Sequence, residues 1–288
     1  MYDRCVLGAV ASAVGIGCIA LIGVFYLLMG IGFSISFLFE VYRTQHKVTI
    51  SNQKKDKKDV QSIILVGRTG AGKSTLANVL SNDDKFAEIP GSASGTKDIQ
   101  ISEVFEWNGK KYRVIDTVGI GDTAELSNEK KISLFWDLFE IIRYYNIKQV
   151  FFVYKDRFEN HQVEALRKVN KLLKLCGSIF NYNHIVLVST NFPMFEDDDS
   201  CDQDSKRLLG DSRNKNIVEI IRNCKLIHVD NPSLDSPYYK EAAILSRESS
   251  REKLLNYLDS IASIENIGTE KTLNSANIEE KDIYTCFS

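Results

Sequence analysis

No charged side chain interrupts the run from Val6 to Phe39. A helix needs about 20 apolar residues to cross the hydrocarbon core of a bilayer. The run therefore predicts an uncleaved membrane segment. Gly15, Gly17, Gly30 and Gly32 leave two forms open, a single tilted span or a re-entrant hairpin. A cleaved signal peptide is the competing reading, but its apolar region should be about 7–15 residues. A buried core helix fits poorly, because unbroken apolarity leaves no solvent face. Beyond this run the pattern changes. Thr49 to Asp59 is polar and charged and reads as a linker, after which short apolar runs alternate with amphipathic segments.

Strands are predicted at Ser62–Val66, Ile99–Trp107, Tyr112–Ile115, Val150–Tyr154, His184–Thr190 and Lys225–Val229. The apolar, β-branched runs among them suit strands buried on both faces. Helices are predicted at Lys73–Leu80, Asn128–Tyr145, Gln162–Cys176, Asn214–Asn223 and Ser246–Ser260, from apolar residues recurring at helical spacing. Asn108-Gly109 is a strong short signal for a tight hairpin between the second and third strands. The order predicts an α/β domain of three layers, α/β/α, with a mostly parallel sheet and one antiparallel edge hairpin strand. Four parts follow: a membrane segment over 1–40, a basic polar linker over 41–60, the α/β domain over 61–262 and a polar tail over 263–288.

Between the first strand and the first helix stands Gly67-Arg68-Thr69-Gly70-Ala71-Gly72-Lys73-Ser74, followed by Thr75. It fills the P-loop pattern G-x-x-x-x-G-K-[ST] in the strand–loop–helix order the chemistry requires. Glycines let the backbone bend closely around a phosphate chain. Successive N–H groups then form an anion nest, to which the helix N-terminus adds its dipole. Lys73 is placed to reach the outer phosphates, and the Ser74 hydroxyl to ligate Mg²⁺.

The third strand ends in Asp116-Thr117-Val118-Gly119. An apolar strand ending in Asp delivers a carboxylate to the metal of a bound triphosphate. The glycine lets a backbone N–H approach the terminal phosphate. In the polar loop Ser81–Asp98, Thr96 is the candidate switch threonine for Mg²⁺ and the γ-phosphate, with Ser92 and Ser94 competing for the role. The hairpin and the D-x-x-G favour a P-loop switch GTPase over a P-loop kinase.

A formal net charge of -2 gives no case for a nucleic-acid partner. Cys5, Cys18, Cys176, Cys201, Cys224 and Cys286 lack metal-ligand spacing and fit a reducing compartment. Arg43, Lys47, Lys54, Lys55, Lys57 and Lys58 follow the apolar run, against Arg4 alone before it. The positive-inside tendency then places the α/β domain in the cytoplasm. The linker lysines are positioned either to touch anionic membrane lipid or to serve as a solvated spacer. Glu196 to Asp199 is read as a solvated loop rather than a metal site. The aromatic helix at Asn128–Tyr145 is read mostly as core, with part of it available to a partner.

Taken together, GRTGAGKSTLANVL, SGTKD, DTVGIGD and HVDNP resemble the AIG-type (GIMAP-like) P-loop GTPases, relatives of septins and chloroplast import GTPases. The resemblance covers roughly Gln61 to Leu258. It implies guanine-nucleotide binding (GTP/GDP) with Mg²⁺ and slow hydrolysis. Nucleotide-binding residues would be Gly67, Arg68, Thr69, Gly70, Ala71, Gly72, Lys73, Ser74 and Thr75, with Thr190, Asn191 and Asn231 towards the base. Catalytic roles would fall to Lys73, Thr96 and Gly119, and metal roles to Ser74, Thr96 and Asp116. It also implies membrane attachment and a homodimer through the nucleotide face.

Two departures stand out. Where the family's pattern carries a base-reading Asp, the chain has Thr190-Asn191-Phe192-Pro193. Asn191, or the later Glu196 or Asp197, replaces that carboxylate, or preference for guanine over adenine is relaxed. Gly119 is followed by Ile120, which cannot polarise a water. Alternatives to a slow GTPase are therefore a non-hydrolysing membrane scaffold and an ATP-binding relative.

Overall fold

The computed structural model describes residues 59–88, 99–119, 127–176, 182–210 and 215–261, all within one compact unit, Lys57–Ser288. Val6 to Phe39, Thr96 and Ile120 lie outside them. Among the described residues no helix is long and apolar enough to cross a membrane.

Strand β1 is Val60–Val66, β2 Gln100–Ile101, β3 Phe105–Trp107, β4 Lys110–Asp116, β5 Ile147–Lys155, β6 Ile185–Thr190 and β7 Lys225–His228. The helices are α1 (Lys73–Ser81), α2 (Asn128–Tyr144), α3 (Asn160–Cys176), α4 (Asp198–Gly210), α5 (Lys215–Asn223) and α6 (Lys240–Ser260). They surround a seven-stranded sheet of order β2-β4-β1-β5-β6-β7, with β3 also paired to β4. From β4 through β7 the pairs are parallel, whereas β2 and β3 lie antiparallel on β4. The expected mostly parallel sheet with an antiparallel edge is present.

Alternation along the central strands serves two faces. Ile63, Leu65, Val114, Phe151, Val153 and Val188 join Leu76 and Leu80 of α1 and Leu254, Leu255 and Leu258 of α6 in one buried cluster. Their neighbours Ile64, Ile115, Val150, Phe152 and Leu187 are buried as well, as parallel strands covered on both faces require. The Asn108-Gly109 turn forms with φ of 48° and 74°, the paired positive values of a type I′ hairpin.

Three expectations need correction. The single strand over Ile99–Trp107 is two. Ile101 pairs with Ile115 but Phe105 pairs with Tyr112, so one extra residue is inserted. The Ser102 hydroxyl fills the gap by accepting from Val114 N (2.9 Å). The acidic run is not simply a loop: Asp198 and Asp199 form the first turn of α4, where carboxylates complement the helix dipole. The Asp197 backbone carbonyl accepts the first bond of that helix, from the Cys201 N–H at 3.0 Å. Finally, the last helix begins at Lys240 rather than Ser246.

β1 sits between β4 and β5, so successive connections leave it in opposite directions. Open α/β sheets bind ligands at the carboxyl ends of the strands beside such a switch point. The glycine loop occupies that position.

Candidate functional site

The start of the glycine loop is fixed by a close backbone approach. A Cβ on Gly67 would lie 2.2 Å from Val153 O of β5. Gly70 and Gly72 adopt φ of 77° and 88°, which curls the loop before α1 begins at Lys73. Gly72 is the N-cap and contributes no side chain, and the first turn of α1 holds no acidic residue. That helix end is therefore left to an outside anion. Lys73 is buried at 6% exposure, and its Nζ donates to Arg68 O at 2.8 Å across the loop.

The pairing of Leu65 with Asp116 sets the D-x-x-G level with the start of the loop. Thr117 Oγ1 donates to Leu65 O at 2.7 Å and locks the turn to β1. Asp116 is fully buried, and Ser74 Oγ donates to its Oδ2 at 2.7 Å. A buried carboxylate beside a helix-start hydroxyl is a hard oxygen pair that fits Mg²⁺, an ion bound by one or two protein groups together with substrate phosphates. Among the described residues no cluster of three or more His, Cys, Asp or Glu could hold a metal. Ser74 and Asp116 are thus brought together, while Thr96 lies outside the described residues. Gly119 packs on the loop: a Cβ there would lie 2.3 Å from Thr69 Oγ1 and 2.7 Å from Thr69 N.

On the other flank of the loop, Thr190 is a structural staple. Its buried Oγ1 donates to Ala71 O (2.9 Å) and lies 3.1 Å from Tyr154 O, fastening the glycine loop to the ends of β5 and β6. Asn191, at φ 63°, directs its Nδ2 to Asp156 Oδ1 at 2.9 Å. Phe192 packs on His228, with ring centroids 4.4 Å apart, and His228 Nε2 lies 2.9 Å from Asp204 Oδ2 of α4. Asn231 follows β7, and its Oδ1 and Nδ2 are both buried without a hydrogen-bond partner. A buried amide bare at both ends is costly unless a ligand meets it.

Sequence reasoning missed the polar frame beneath this site. Asp230 O accepts from Ser246 Oγ and Ser250 Oγ, each at 2.9 Å. Arg247 grips Glu88 through both terminal nitrogens (3.0 and 2.9 Å). Thr75 Oγ1 and Asn78 Nδ2 also meet Glu88, at 3.2 and 2.9 Å. Burial works against ionisation of Glu88, but the hydrogen bonds from Arg247 and Asn78 outweigh it and hold the carboxyl below its ordinary value. Burial likewise pushes the Asp230 carboxyl up. No motif links residues 88 and 247, so the signal was absent from the sequence.

Residues 62–189 match the family model described as 50S ribosome-binding GTPase. This segment is a GTPase-superfamily domain. The chain is 36% identical over 70 residues to GTPase Der of Persephonella marina, which covers 24% of this chain and 15% of that protein. It is 42% identical over 65 residues to the tRNA modification GTPase MnmE of Parabacteroides distasonis, covering 22% and 13%. Against MnmE of Helicobacter pylori it is 24% identical over 160 residues, covering 54% and 32%. The chain thus spans at most about a third of the length of these relatives. Among solved structures, a dimerization-deficient mutant of Toc33 from Arabidopsis thaliana has a TM-score of 0.47 at 14% identity, covering 80% of this chain and 96% of that one.

Proposed function

We propose that this chain is a membrane-anchored guanine-nucleotide switch of the AIG type that binds GTP with Mg²⁺ and hydrolyses it slowly. The observation that carries this reading is the Ser74–Asp116 pair, 2.7 Å apart, at the mouth of a glycine loop that holds Lys73 buried beneath it. Backbone N–H groups of Gly67 to Ser74 grip the phosphates, and the Lys73 ammonium neutralises the outer ones. Ser74 and Asp116 would hold the metal, which would supply electrostatic stabilisation of charge on the transferring phosphate. The remaining metal role is assigned to Thr96 from the sequence pattern, and the Gly119 N–H would meet the terminal phosphate. Because Ile120 follows Gly119, turnover is slow until a second copy across the nucleotide face, or another partner, supplies a polar side chain. GTPase-named relatives support the hydrolase assignment, and the uncharged run Val6–Phe39 supports anchorage.

The deciding experiment is phosphate release from GTP by the full chain in detergent micelles, alongside Lys73→Ala. Slow release that rises with protein concentration, and loss of both binding and release in the variant, is expected. Binding and hydrolysis indifferent to Lys73 would overturn the assignment. Flotation of the full chain with vesicles, lost on deleting residues 1–40, checks the anchor.

A second reading, relaxed base preference, is favoured by Asn231 and Pro193. An amide offers both a donor and an acceptor, so it can pair with the edge of guanine or of adenine. Direct competition of ATP against GTP separates the two.

A further inference from the structure

Arg247 of α6 links elements on both sides of the candidate site. On the phosphate side it holds Glu88 as a two-pronged pair, at 3.0 and 2.9 Å, and Glu88 in turn takes hydrogen bonds from Thr75 and Asn78 of α1. Asn78 is buried and closes a reciprocal pair with the Phe86 backbone, giving Nδ2 to its carbonyl (2.8 Å) and accepting its N–H (2.9 Å). Glu88 is therefore fixed to the helix that cradles the phosphates. On the base side the remaining guanidinium nitrogen, Nε, donates to Pro232 O at 2.8 Å. Pro232 directly follows Asn231, whose buried amide is bare at both ends. Ser246 and Ser250, flanking Arg247 on α6, hold the neighbouring Asp230 carbonyl.

The arrangement differs from a surface ion pair in two respects. Arg247 is 11% exposed, and it makes three directed hydrogen bonds rather than one diffuse contact. A planar guanidinium can satisfy a carboxylate fork with two nitrogens while its Nε serves a third acceptor, which an ammonium cannot do. Moving Glu88 must therefore rotate the group that fixes Pro232.

We propose that Arg247 is a positioning residue that couples the phosphate-binding helix to the base-side loop: with Glu88 seated, Nε sets Pro232 and thereby aims the Asn231 amide at the base. This rests on the nucleotide-binding reading above and adds a specific link within that site. The consequence is that a change at Glu88 weakens the base's share of binding more than the phosphates' share.

The test uses the full chain in micelles and two ligands, GTP and inorganic tripolyphosphate, each with Mg²⁺. Tripolyphosphate carries the phosphates without the base. Glu88→Gln keeps the shape of the side chain and removes the charge. Its expected effect is about a fivefold loss of GTP affinity with less than a twofold change for tripolyphosphate. Arg247→Met should do the same, and Arg247→Lys should fail to rescue it because the fork is gone. Equal losses for both ligands, or rescue by Lys, would show a merely structural cation and overturn the proposal. Hydrogen exchange of the Asn231 amide in nucleotide-free protein gives a readout independent of guanine binding. Glu88→Gln is expected to speed that exchange about threefold, and an unchanged rate would also overturn the coupling. A wild-type chain that binds tripolyphosphate but not GTP would sink the guanine-nucleotide reading, while the exchange rate would still judge the link.

Discussion

Gly119→Ala tests whether the D-x-x-G turn and the glycine loop meet as closely as the structure places them. The added methyl carbon would sit 2.3 Å from Thr69 Oγ1 and 2.7 Å from Thr69 N. Ordinary contact is about 3.5 Å, so the overlaps are roughly 1.2 and 0.8 Å. A rotation of the Thr69 side chain can relieve the first. It cannot relieve the second, because the nitrogen belongs to the loop that forms the anion nest. Relief must then come from moving either Thr69 or the turn locked to β1 by Thr117. Overpacking of this kind costs about 1–3 kcal/mol. For a domain of this size that is a fall in Tm of roughly 2–12 °C, followed by differential scanning calorimetry. GTP affinity, measured by calorimetric titration, should fall as well, since the displaced atom belongs to the cradle. Adding Thr69→Ala should recover only part of the loss, because it removes the hydroxyl but leaves the backbone nitrogen. A Gly119→Ala chain that melts and binds like the wild type, or full recovery in the double variant, would refute the close approach.

Thr190→Val keeps the shape but leaves Ala71 O and Tyr154 O without their hydroxyl, and should destabilise by about 1–3 kcal/mol, read by urea unfolding. Its GTP affinity should fall too, because the staple holds the loop against the strand ends. Asn231→Asp replaces a two-way amide by an acceptor-only carboxylate and should shift preference towards guanine, by roughly tenfold for about 1.4 kcal/mol; competition between GTP and ATP measures it. The Glu88 carboxyl is held below its ordinary value of 4.5, so its contribution to stability is complete above that pH and is lost as the pH falls through the lower folded-state value. Unfolding curves between pH 6 and 3 should therefore show a smaller acid-side decline in Glu88→Gln than in the wild type.

The phosphate half of the site was legible because its chemistry is made by backbone. Only glycine tolerates the approach of residue 67 to Val153 O, or of residue 119 to Thr69 N, and such requirements leave fixed letters in the sequence. The strands were legible for a related reason: burial on both faces demands continuous apolar runs. Ser102 hid the break between β2 and β3, since a hydroxyl standing in for a backbone partner leaves no periodic trace. The start of α6 was missed because Tyr239, its N-cap, makes no side-chain capping bond. The run from Glu196 was misread because contiguous carboxylates look the same in a loop and in the first turn of a helix. The Glu88–Arg247 pair joins positions far apart in the chain, and neither residue type is unusual where it stands.

These differences in legibility reflect how the two halves of the site produce affinity and selectivity. A nest of N–H groups recognises any triphosphate, whatever base it carries, so the loop supplies binding without choice. Choice needs a side chain that offers only one hydrogen-bonding sense. Asn191 is engaged with Asp156, and Pro193 has no polar side chain, which leaves the Asn231 amide, bare at both ends, as the proposed contact for the base. An amide can turn over to suit either purine unless the backbone around it is held at one angle. The three hydrogen bonds from Ser246, Arg247 and Ser250 to the carbonyls of Asp230 and Pro232 provide that restraint. On the proposed reading, base preference would then depend on how rigidly α6 holds the loop after β7 as well as on the identity of residue 231, and that frame is tied to the phosphate side through Glu88.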